Sequence, residues 1–382
     1  MRGLLLALLA GFLGCAAAED ISTARALEDF YNLDYDAALS GFAAIAREHP
    51  LSPDAHNHVA MTVLYRAMLR AGALESEMVT GNNAFLRRPR VEPTPSERRT
   101  FDSEVARAIS LAEARLARNP RDTRALYALG VSHGLRSTYE LLIDRAWRSG
   151  LKEANLARKY HNRATEIDPS FIDAKLVQGL HDYMVGSLPW HWRLIAFMAG
   201  YHGDKEKGIR TLRQVARDGR ENRIDAQTML CVVYRRERQP KRAVPLLQNL
   251  IRRYPRNYLY RMELAQMFSD AGDKRSALAT LDNLEQSRPA MAPEKISFAR
   301  GNIQFWYGDL DSALVNIQKA ASAADRLDLN TAVLACMRLG QIHDLRNERD
   351  QAREAYRRAA ALAPDSAAAK ESCGYLSNPY RR

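Results

Sequence analysis

The sequence has few of the residues that mark disulfide-bonded, disordered or collagen-like chains. Its 382 residues include 4 cysteines, 20 glycines and 15 prolines. Beyond the first 18 residues the cysteines are Cys231, Cys336 and Cys373, an odd number without the short spacings of a disulfide framework or a zinc site. Glycine and proline are too scarce for a disordered or collagen-like chain. We therefore expect a folded chain in which Cys231 and Cys336 are small core residues.

The sequence also lacks the motifs of common catalytic and metal sites. It contains no H-E-x-x-H, no G-x-S-x-G, no glycine-rich phosphate loop and no C-x-x-C. His56 and His58 are a close pair, but residues two apart on a helix point to different faces, which disfavours a shared metal ion. We predict no catalytic residues, no metal and no cofactor. An enzyme whose site is hidden in an insertion is the less favoured alternative.

No apolar run in the sequence is long enough to span a bilayer. The run from Leu4 to Leu13 follows Arg2 and precedes Ala16-Ala17-Ala18, which has the A-x-A form of a cleavage site. Residues 1–18 are therefore predicted to be a signal peptide that is cleaved after Ala18. The alternative is a lipid anchor on Cys15, for which Phe12 is a poor match. Both interpretations predict an exported protein in the periplasm or at the outer membrane, although secretion from a eukaryote stays open.

Positive charge exceeds negative charge, and the formal net charge is +11. Such an excess favours acidic partners or anionic surfaces, or it is a solvated arginine-rich face. Export argues against a nucleic-acid partner, so none is expected.

The sequence does contain a repeat of about one helix pair. Alanines recur at positions 243, 277, 313 and 352, in units that span residues 224–257, 258–291, 294–327 and 333–366. Leu339-Gly340 is a large-small pair in a first helix, and the alanine lies where the second helix crosses it. Pro289 and Pro364 then stop the second helix. These positions match the packing sites of the tetratricopeptide repeat, which the sequence resembles over residues 21–366.

This resemblance implies an all-α fold, a right-handed α-solenoid of about eight helix pairs in one elongated array. Residues 19–366 form the solenoid, and residues 367–382 are a capping helix with a frayed tail. His133 and His343 take corresponding positions in two units, which indicates packing rather than catalysis.

Three insertions interrupt the N-terminal half. Residues 73–99, with the arginines at 87, 88 and 90, are predicted to be a mobile loop or a basic recognition loop. Residues 138–152 continue a first helix past its usual end. Residues 183–203 are rich in apolar side chains, including Trp190, Trp192 and Phe197. This insert either fills the inner groove of the solenoid, docks a partner or enters a membrane interface.

The resemblance also implies that the first helices line the concave face. Gln266, Asn302 and Gln341 stand at the ninth position of three successive units. Their amides can pair with an extended peptide backbone, and apolar neighbours can hold its side chains. These neighbours are Met262, Phe298, Phe305, Trp306 and Met337. We predict a non-catalytic scaffold that binds another protein or an extended peptide in this groove. The alternative is a membrane-associated adaptor that uses the insert at 183–203.

Overall fold

The computed structural model describes residues 21–74, 91–198, 201–285 and 291–382, and every regular element in these ranges is helical. The all-α solenoid class predicted from the sequence is therefore confirmed. The predicted signal peptide, with Cys15 and the cleavage site after Ala18, lies outside the described residues. So do Arg87, Arg88 and Arg90 of the 73–99 insertion, and Pro289.

The described α-helices, in chain order, are α1 (Ile21–Tyr31), α2 (Tyr35–Glu48), α3 (Pro53–Arg70), α4 (Pro95–Arg118), α5 (Thr123–Tyr139), α6 (Trp147–Ile167), α7 (Lys175–Gly186), α8 (Trp190–Met198), α9 (Lys205–Asp218), α10 (Arg223–Arg236), α11 (Pro240–Arg253), α12 (Tyr258–Asp270), α13 (Lys274–Glu285), α14 (Pro293–Trp306), α15 (Leu310–Ser322), α16 (Leu329–Leu345), α17 (Arg349–Leu362) and α18 (Ala367–Ser377).

The chain forms two compact units. Of the described residues, 21–67 and those from 91 to 233 belong to the first unit, and 68–74 and those from 234 to 382 belong to the second. In the first unit α1 packs on α2, α5 on α6 and α7 on α9. In the second unit α12 packs on α13, α14 on α15 and α16 on α17. Each unit is thus built from successive helix pairs, the arrangement of repeat solenoids. The handedness, the number of repeats and the single elongated array stay predictions.

Short polar side chains fix where several helices begin. Thr94 and Glu97 form a reciprocal capping box at the start of α4, with Pro95 as its first residue. Asp328 accepts hydrogen bonds from the backbone N–H and the hydroxyl of Thr331 at the start of α16. Such caps satisfy N–H groups that the first turn leaves without a partner. Residues 95–99 of the predicted mobile loop 73–99 are therefore helical, because the cap nucleates α4 before the loop was expected to end.

The repeat positions read from the sequence are the closest packing points of the helix pairs. All four recurring alanines, at 243, 277, 313 and 352, are fully buried. A Cβ atom added to Gly340 in α16 would approach the ring of Tyr356 in α17 to under 3.0 Å. A Cβ atom on Gly301 in α14 would meet Ile317 in α15 at 2.8 Å. Small residues thus let the paired helices approach, as the sequence predicted.

The insertion at residues 138–152 is a local change of helix type. After Tyr139 the backbone continues as a π-helical turn over Glu140–Asp144, and Leu141, Leu142 and Ile143 within it are buried. Arg145 then takes a left-handed conformation with φ of 55°, and α6 begins at Trp147. The helix therefore does extend past Tyr139, but it stops before Trp147.

The insertion at residues 183–203 contains α8, whose apolar side chains face solvent. Trp190 is 73% exposed and Phe197 is 59% exposed, and Trp192, Leu194 and Met198 are also exposed. The alternative in which this insert fills an inner groove is therefore wrong for these side chains. Within the described ranges no helix has both the length and the apolar character required to cross a membrane.

Candidate protein-binding face

The second unit carries an aromatic and cationic surface where α14 ends. Phe305 and Trp306 are the last residues of α14, and Trp306 is 55% exposed whereas Phe305 is buried. The guanidinium of Arg338 in α16 lies 4.2 Å from the ring centre of Phe305 and 4.8 Å from that of Trp306. A cation is attracted to the negative face of an aromatic ring. We call Phe305, Trp306, Arg338, Gln341 and Asp344 the Trp306 face.

Residues 378–382, which we call the tail segment, lie in non-helical conformation against this face. The ring of Tyr380 is centred 6.1 Å from that of Phe305. The guanidinium of Arg382 lies 5.1 Å from the ring centre of Phe305 and donates hydrogen bonds to the carbonyl oxygens of Phe305 and Trp306. Carbonyl groups at the end of a helix carry partial negative charge and lack full intrahelical pairing, so they attract a cation. The tail segment is therefore held by specific contacts, in contrast to the frayed end expected from the sequence.

Asp344 connects the tail segment to the repeat beneath it. Its carboxylate accepts hydrogen bonds from Arg349 at 2.8 Å, from the Tyr356 hydroxyl at 2.8 Å and from the Tyr380 backbone N–H at 2.7 Å. Burial and the bond to Asp344 raise the pKa of Tyr356 far above its usual range. Arg349 also donates to two carbonyl groups at the end of α18. A single buried carboxylate thus orders α16, α17 and the tail segment together.

The three amides of the predicted ladder lie on neighbouring first helices but differ in their surroundings. Gln266 in α12 is half-buried and donates to Asp270 at 2.6 Å. Gln341 in α16 is buried and accepts from Arg338 at 2.6 Å. Asn302 in α14 is also buried, and its Oδ1 has no hydrogen-bond partner among the residues that the structure describes. Burial therefore restricts the side chains of Gln341 and Asn302, and the Asn302 amide oxygen is an unused hydrogen-bond acceptor.

Most of the apolar residues predicted to line the groove belong to the core. Phe298, Phe305 and Met337 are buried in the cluster formed by α14 to α18. Met262 is half-buried against the cluster formed by α12, α13 and α14. Trp306 is the member of the predicted set that presents a large exposed apolar surface. First-helix positions face both the groove and the next helix, and the sequence pattern does not separate the two.

The first unit has a different exposed surface around α8. The exposed Trp190, Trp192 and Phe197 stand in this helix, and Tyr201 follows it. The Tyr201 hydroxyl accepts a hydrogen bond from Asn155 at 2.7 Å and so lies against α6. The shallow depression at this contact is also lined by the exposed cations Arg148, Lys152 and Lys159. Aromatic and cationic side chains therefore occur together on this surface.

Three histidines are each paired with a carboxylate. His133 Nδ1 lies 2.6 Å from a carboxylate oxygen of Glu153, and His343 Nδ1 lies 2.6 Å from one of Glu348. His56 is similarly placed against Glu104 at 2.5 Å. These pairs fit a packing role at the corresponding positions. Among the residues that the structure describes, no three His, Cys, Asp or Glu side chains are grouped to hold a metal ion.

Several buried carboxyl groups occur in the first unit, and burial is the main cause of their altered pKa. It raises the pKa of Asp54 to about 7 and the pKa of Glu221 and Asp225 to about 8. Asp225 accepts a hydrogen bond from the Tyr31 hydroxyl at 2.9 Å. Asp173 accepts from the backbone N–H groups of residues 220–222. These contacts join distant parts of the chain, so the carboxyl groups have a structural role.

Four residues were not predicted from the sequence: Arg338 and Asp344 of the Trp306 face, and Tyr380 and Arg382 of the tail segment. The contacts of the tail segment join residues that are 36 or more positions apart in the sequence. Asp344 offers a partial signal, because it follows His343 in a helix that packs against others. A carboxylate that is buried in such a helix needs hydrogen-bond donors around it. The tail segment offers none, because its contacts occur once and follow no repeated position in the sequence.

The tetratricopeptide repeat family matches this chain over two segments, residues 229–292 and residues 333–366. The second match coincides with the unit predicted from the sequence at 333–366. No curated protein sequence matches the chain.

Solved structures with similar helix arrangements include the tetratricopeptide protein YrrB, described as having an unusual peptide-binding site. It is 17% identical over 69% of this chain and 97% of its own, with a TM-score of 0.33. The tetratricopeptide protein TTC0263 of Thermus thermophilus is 17% identical over 66% of this chain and 99% of its own, with a TM-score of 0.35. A human IFIT1 dimer with m7Gppp-AAAA is 13% identical over 98% of this chain and 84% of its own, with a TM-score of 0.47. At these TM-scores the likenesses carry no functional conclusion.

The two matched segments contain α11 to α13 and α16 to α17, the helix pairs whose alanines are fully buried. Residues 229–292 and 333–366 are therefore tetratricopeptide repeats, a type of repeat that in general serves as a non-catalytic scaffold for protein–protein interaction.

Proposed function

We propose that this protein is a scaffold that holds an extended segment of a partner protein against the Trp306 face. The observation that carries the proposal is that this face already holds a non-helical segment, residues 378–382. The contacts use a backbone N–H, an aromatic ring and a guanidinium, which a segment of another protein can also offer. Trp306 remains 55% exposed beside the tail segment, so apolar surface is left for a partner.

The unused acceptor of Asn302 supports the same role. A buried polar atom without a partner is costly, and a ligand that donates to it recovers that cost. Asn302 lies in α14, the helix that ends in Phe305 and Trp306. A partner segment that runs along α14 can donate a backbone N–H to the Asn302 amide oxygen once this buried side chain has turned toward the surface.

The direct test is co-purification of binding partners with variants of the whole chain. We expect Trp306→Ala together with Arg338→Ala to remove the partners captured by the unaltered protein, because the variant loses the exposed ring and the cation beside it. Val315→Ala is the matched control, since Val315 is 69% exposed on α15 of the same unit. Capture that is equal in all three proteins would contradict the proposal.

The amide positions have their own test. Gln266→Ala combined with Asn302→Ala removes two amides without altering Trp306 or Arg338. If the amides pair with a partner backbone, we expect weaker binding by about tenfold, the effect of one or two hydrogen bonds. Unchanged binding by a variant with an unchanged melting temperature would exclude the amide ladder and leave the aromatic contacts as the site.

We further propose that the protein acts after export, in the periplasm or at the outer membrane. The proposal rests on the sequence of residues 1–18, with Arg2, the apolar run to Leu13 and the alanines before Glu19. The mass of the protein isolated from its source tests it. A mature N-terminus at Glu19 supports cleavage by a signal peptidase, whereas a lipid on Cys15 supports the anchored form. An intact Met1 would contradict export. The expectation that no nucleic acid is bound stays a prediction.

The exposed α8 supports a second candidate function, attachment to an anionic membrane surface. Its tryptophans are side chains that favour the membrane interface, and Arg148, Lys152 and Lys159 of α6 line the depression with Tyr201, which follows α8 in the chain. We expect the protein to float with vesicles that contain anionic lipid, and Trp190→Ser with Phe197→Ser to abolish flotation. The melting temperature should stay unchanged, because exposed side chains contribute little to stability. Flotation that is equal in both proteins, or absent in both, would exclude α8 as a membrane anchor.

A further inference from the structure

The tail segment places two side chains on the Trp306 face, and the side chain between these two does not contact the face. Tyr380 packs against Phe305, and Arg382 caps the end of α14, whereas Arg381 is exposed to solvent. In an extended chain, residues two apart point to the same side. The face therefore contacts a pattern, an aromatic residue followed two positions later by arginine.

Each half of this pattern meets a complementary group. The aromatic ring lies among Phe305 and Tyr375, whose ring centre is 5.5 Å from that of Tyr380. The arginine meets the carbonyl oxygens of Phe305 and Trp306, which carry the negative end of the α14 dipole. The Asp344 carboxylate fixes the backbone by accepting the Tyr380 N–H at 2.7 Å. The site thus selects a cationic, aromatic segment, although the net charge of the chain favours acidic partners.

The tail segment is attached by contacts that can open locally. Its first residue, Asn378, still donates a helical hydrogen bond to the Gly374 carbonyl, whereas residues 379–382 lie outside the helix. Arg382 remains exposed while it donates to the two carbonyl groups. Segments with few buried contacts open at a free energy far below that of global unfolding. A tethered segment nonetheless competes strongly, because its effective concentration reaches the millimolar range.

We propose that the tail segment is an internal ligand that occupies the partner site, and that partners displace it with a segment of the same pattern, aromatic-x-Arg. This inference rests on the proposed function, because it assigns the ligand class and the regulation of the same face. It predicts that the unaltered protein binds a partner segment of this pattern weakly, because the segment must first displace Tyr380 and Arg382 from the Trp306 face.

The test uses the full-length chain with Tyr380→Ala and Arg382→Ala, and a labelled synthetic peptide with the sequence of residues 377–382. We expect this variant to bind the peptide at least about tenfold more tightly than the unaltered protein, in which the site is occupied. The Arg381→Ala protein is the matched control and should bind as weakly as the unaltered protein. Circular dichroism establishes that the helices persist in the variant.

The peptide itself is then varied. Replacing its tyrosine or its last arginine by alanine should abolish binding to the variant protein, whereas replacing the arginine between them should not. Failure of the folded variant to bind the peptide, or equal binding by all three proteins, would overturn the inference. In that event, partner capture that still depends on Trp306 and Arg338 would leave the proposed function standing. Loss of that dependence would instead overturn the proposed function.

Discussion

At the scale of single residues, glycine and alanine decide how closely the paired helices approach. Gly340 stands against the ring of Tyr356, which is fully buried and bonded to Asp344. Tyr356 cannot retreat without losing that bond. A larger residue at position 340 would therefore also displace the contact with Asp344, the carboxylate that orders the tail segment.

We expect Gly340→Ala to destabilise the protein by about 1–3 kcal/mol, the usual cost of extra volume in a packed core. Gly374→Ala is the matched control, because a Cβ atom there meets nothing within 4 Å in α18. Alanine favours the helix over glycine by up to about 1 kcal/mol, so the control should be neutral or slightly more stable. Chemical denaturation measures both. Equal stability of the two variants would contradict the close approach of α16 and α17.

The buried carboxyl groups of the first unit predict a stability that falls as pH rises. Burial raises the pKa of Glu221 and Asp225 to about 8, so the folded state holds protons that the unfolded state releases near pH 4. Their contribution is therefore present at low pH and is lost as pH rises through 8. Burial lowers the pKa of His58 to about 4 and of His161 to about 3, and these groups destabilise the fold only below about pH 6.5.

Over the interval from pH 6.5 to 8 these carboxyl groups make stability fall as pH rises, so we expect a lower melting temperature at pH 8 than at pH 6.5. Asp225→Asn should reduce the loss of unfolding free energy between the two pH values by about 1 kcal/mol, since the amide keeps an acceptor for Tyr31 without a charge. Thermal melts at the two pH values measure the effect. A melting temperature that rises over this interval would show that Asp225 is ionised in the folded state.

At the scale of elements, the end of α16 controls α17, α18 and the tail segment through Asp344. The carboxylate is buried and accepts hydrogen bonds from Arg349, Tyr356 and the Tyr380 N–H. Removal of one partner of a buried charge pair leaves the other charge without compensation.

We expect Asp344→Ala to cost about 3 kcal/mol of stability and to free the tail segment. Asp365→Ala is the control, because Asp365 is exposed in the loop before α18. Hydrogen exchange supplies a second measurement, since the Tyr380 amide should exchange faster in Asp344→Ala and at the unaltered rate in Asp365→Ala. An unchanged rate for Tyr380 in both variants would show that Asp344 does not hold the tail segment.

At the scale of the whole molecule, the sequence predicted the repeat better than the site. The alanines at 243, 277, 313 and 352 recur because each helix pair solves the same packing problem, so a period in the sequence reports a contact in space. The groove residues follow no such rule. Phe305 and Trp306 are adjacent and both apolar, yet one is buried and the other is exposed.

The contacts of the tail segment were beyond sequence reasoning for a related reason. Arg382 meets α14 and Tyr380 meets α16, across 76 and 36 residues of chain, and both contacts occur once rather than in every repeat. The exposure of α8 was undecided because the same apolar sequence suits a buried filler, a partner surface and a membrane interface. The exposure of these side chains in the folded chain was needed to distinguish a buried filler from a partner surface or a membrane interface.

The most direct measurement of the central claim is site-specific photo-crosslinking in the native source. A photoreactive phenylalanine analogue replaces Trp306 in one protein, Val315 in a second and Phe197 in a third, all of which are exposed positions. Mass spectrometry then identifies what each position contacts. We predict that position 306 crosslinks to one defined segment of a partner protein that carries an aromatic residue two positions before an arginine, and that position 315 does not. Protein crosslinks that are absent at position 306, or equal at positions 306 and 315, would contradict it.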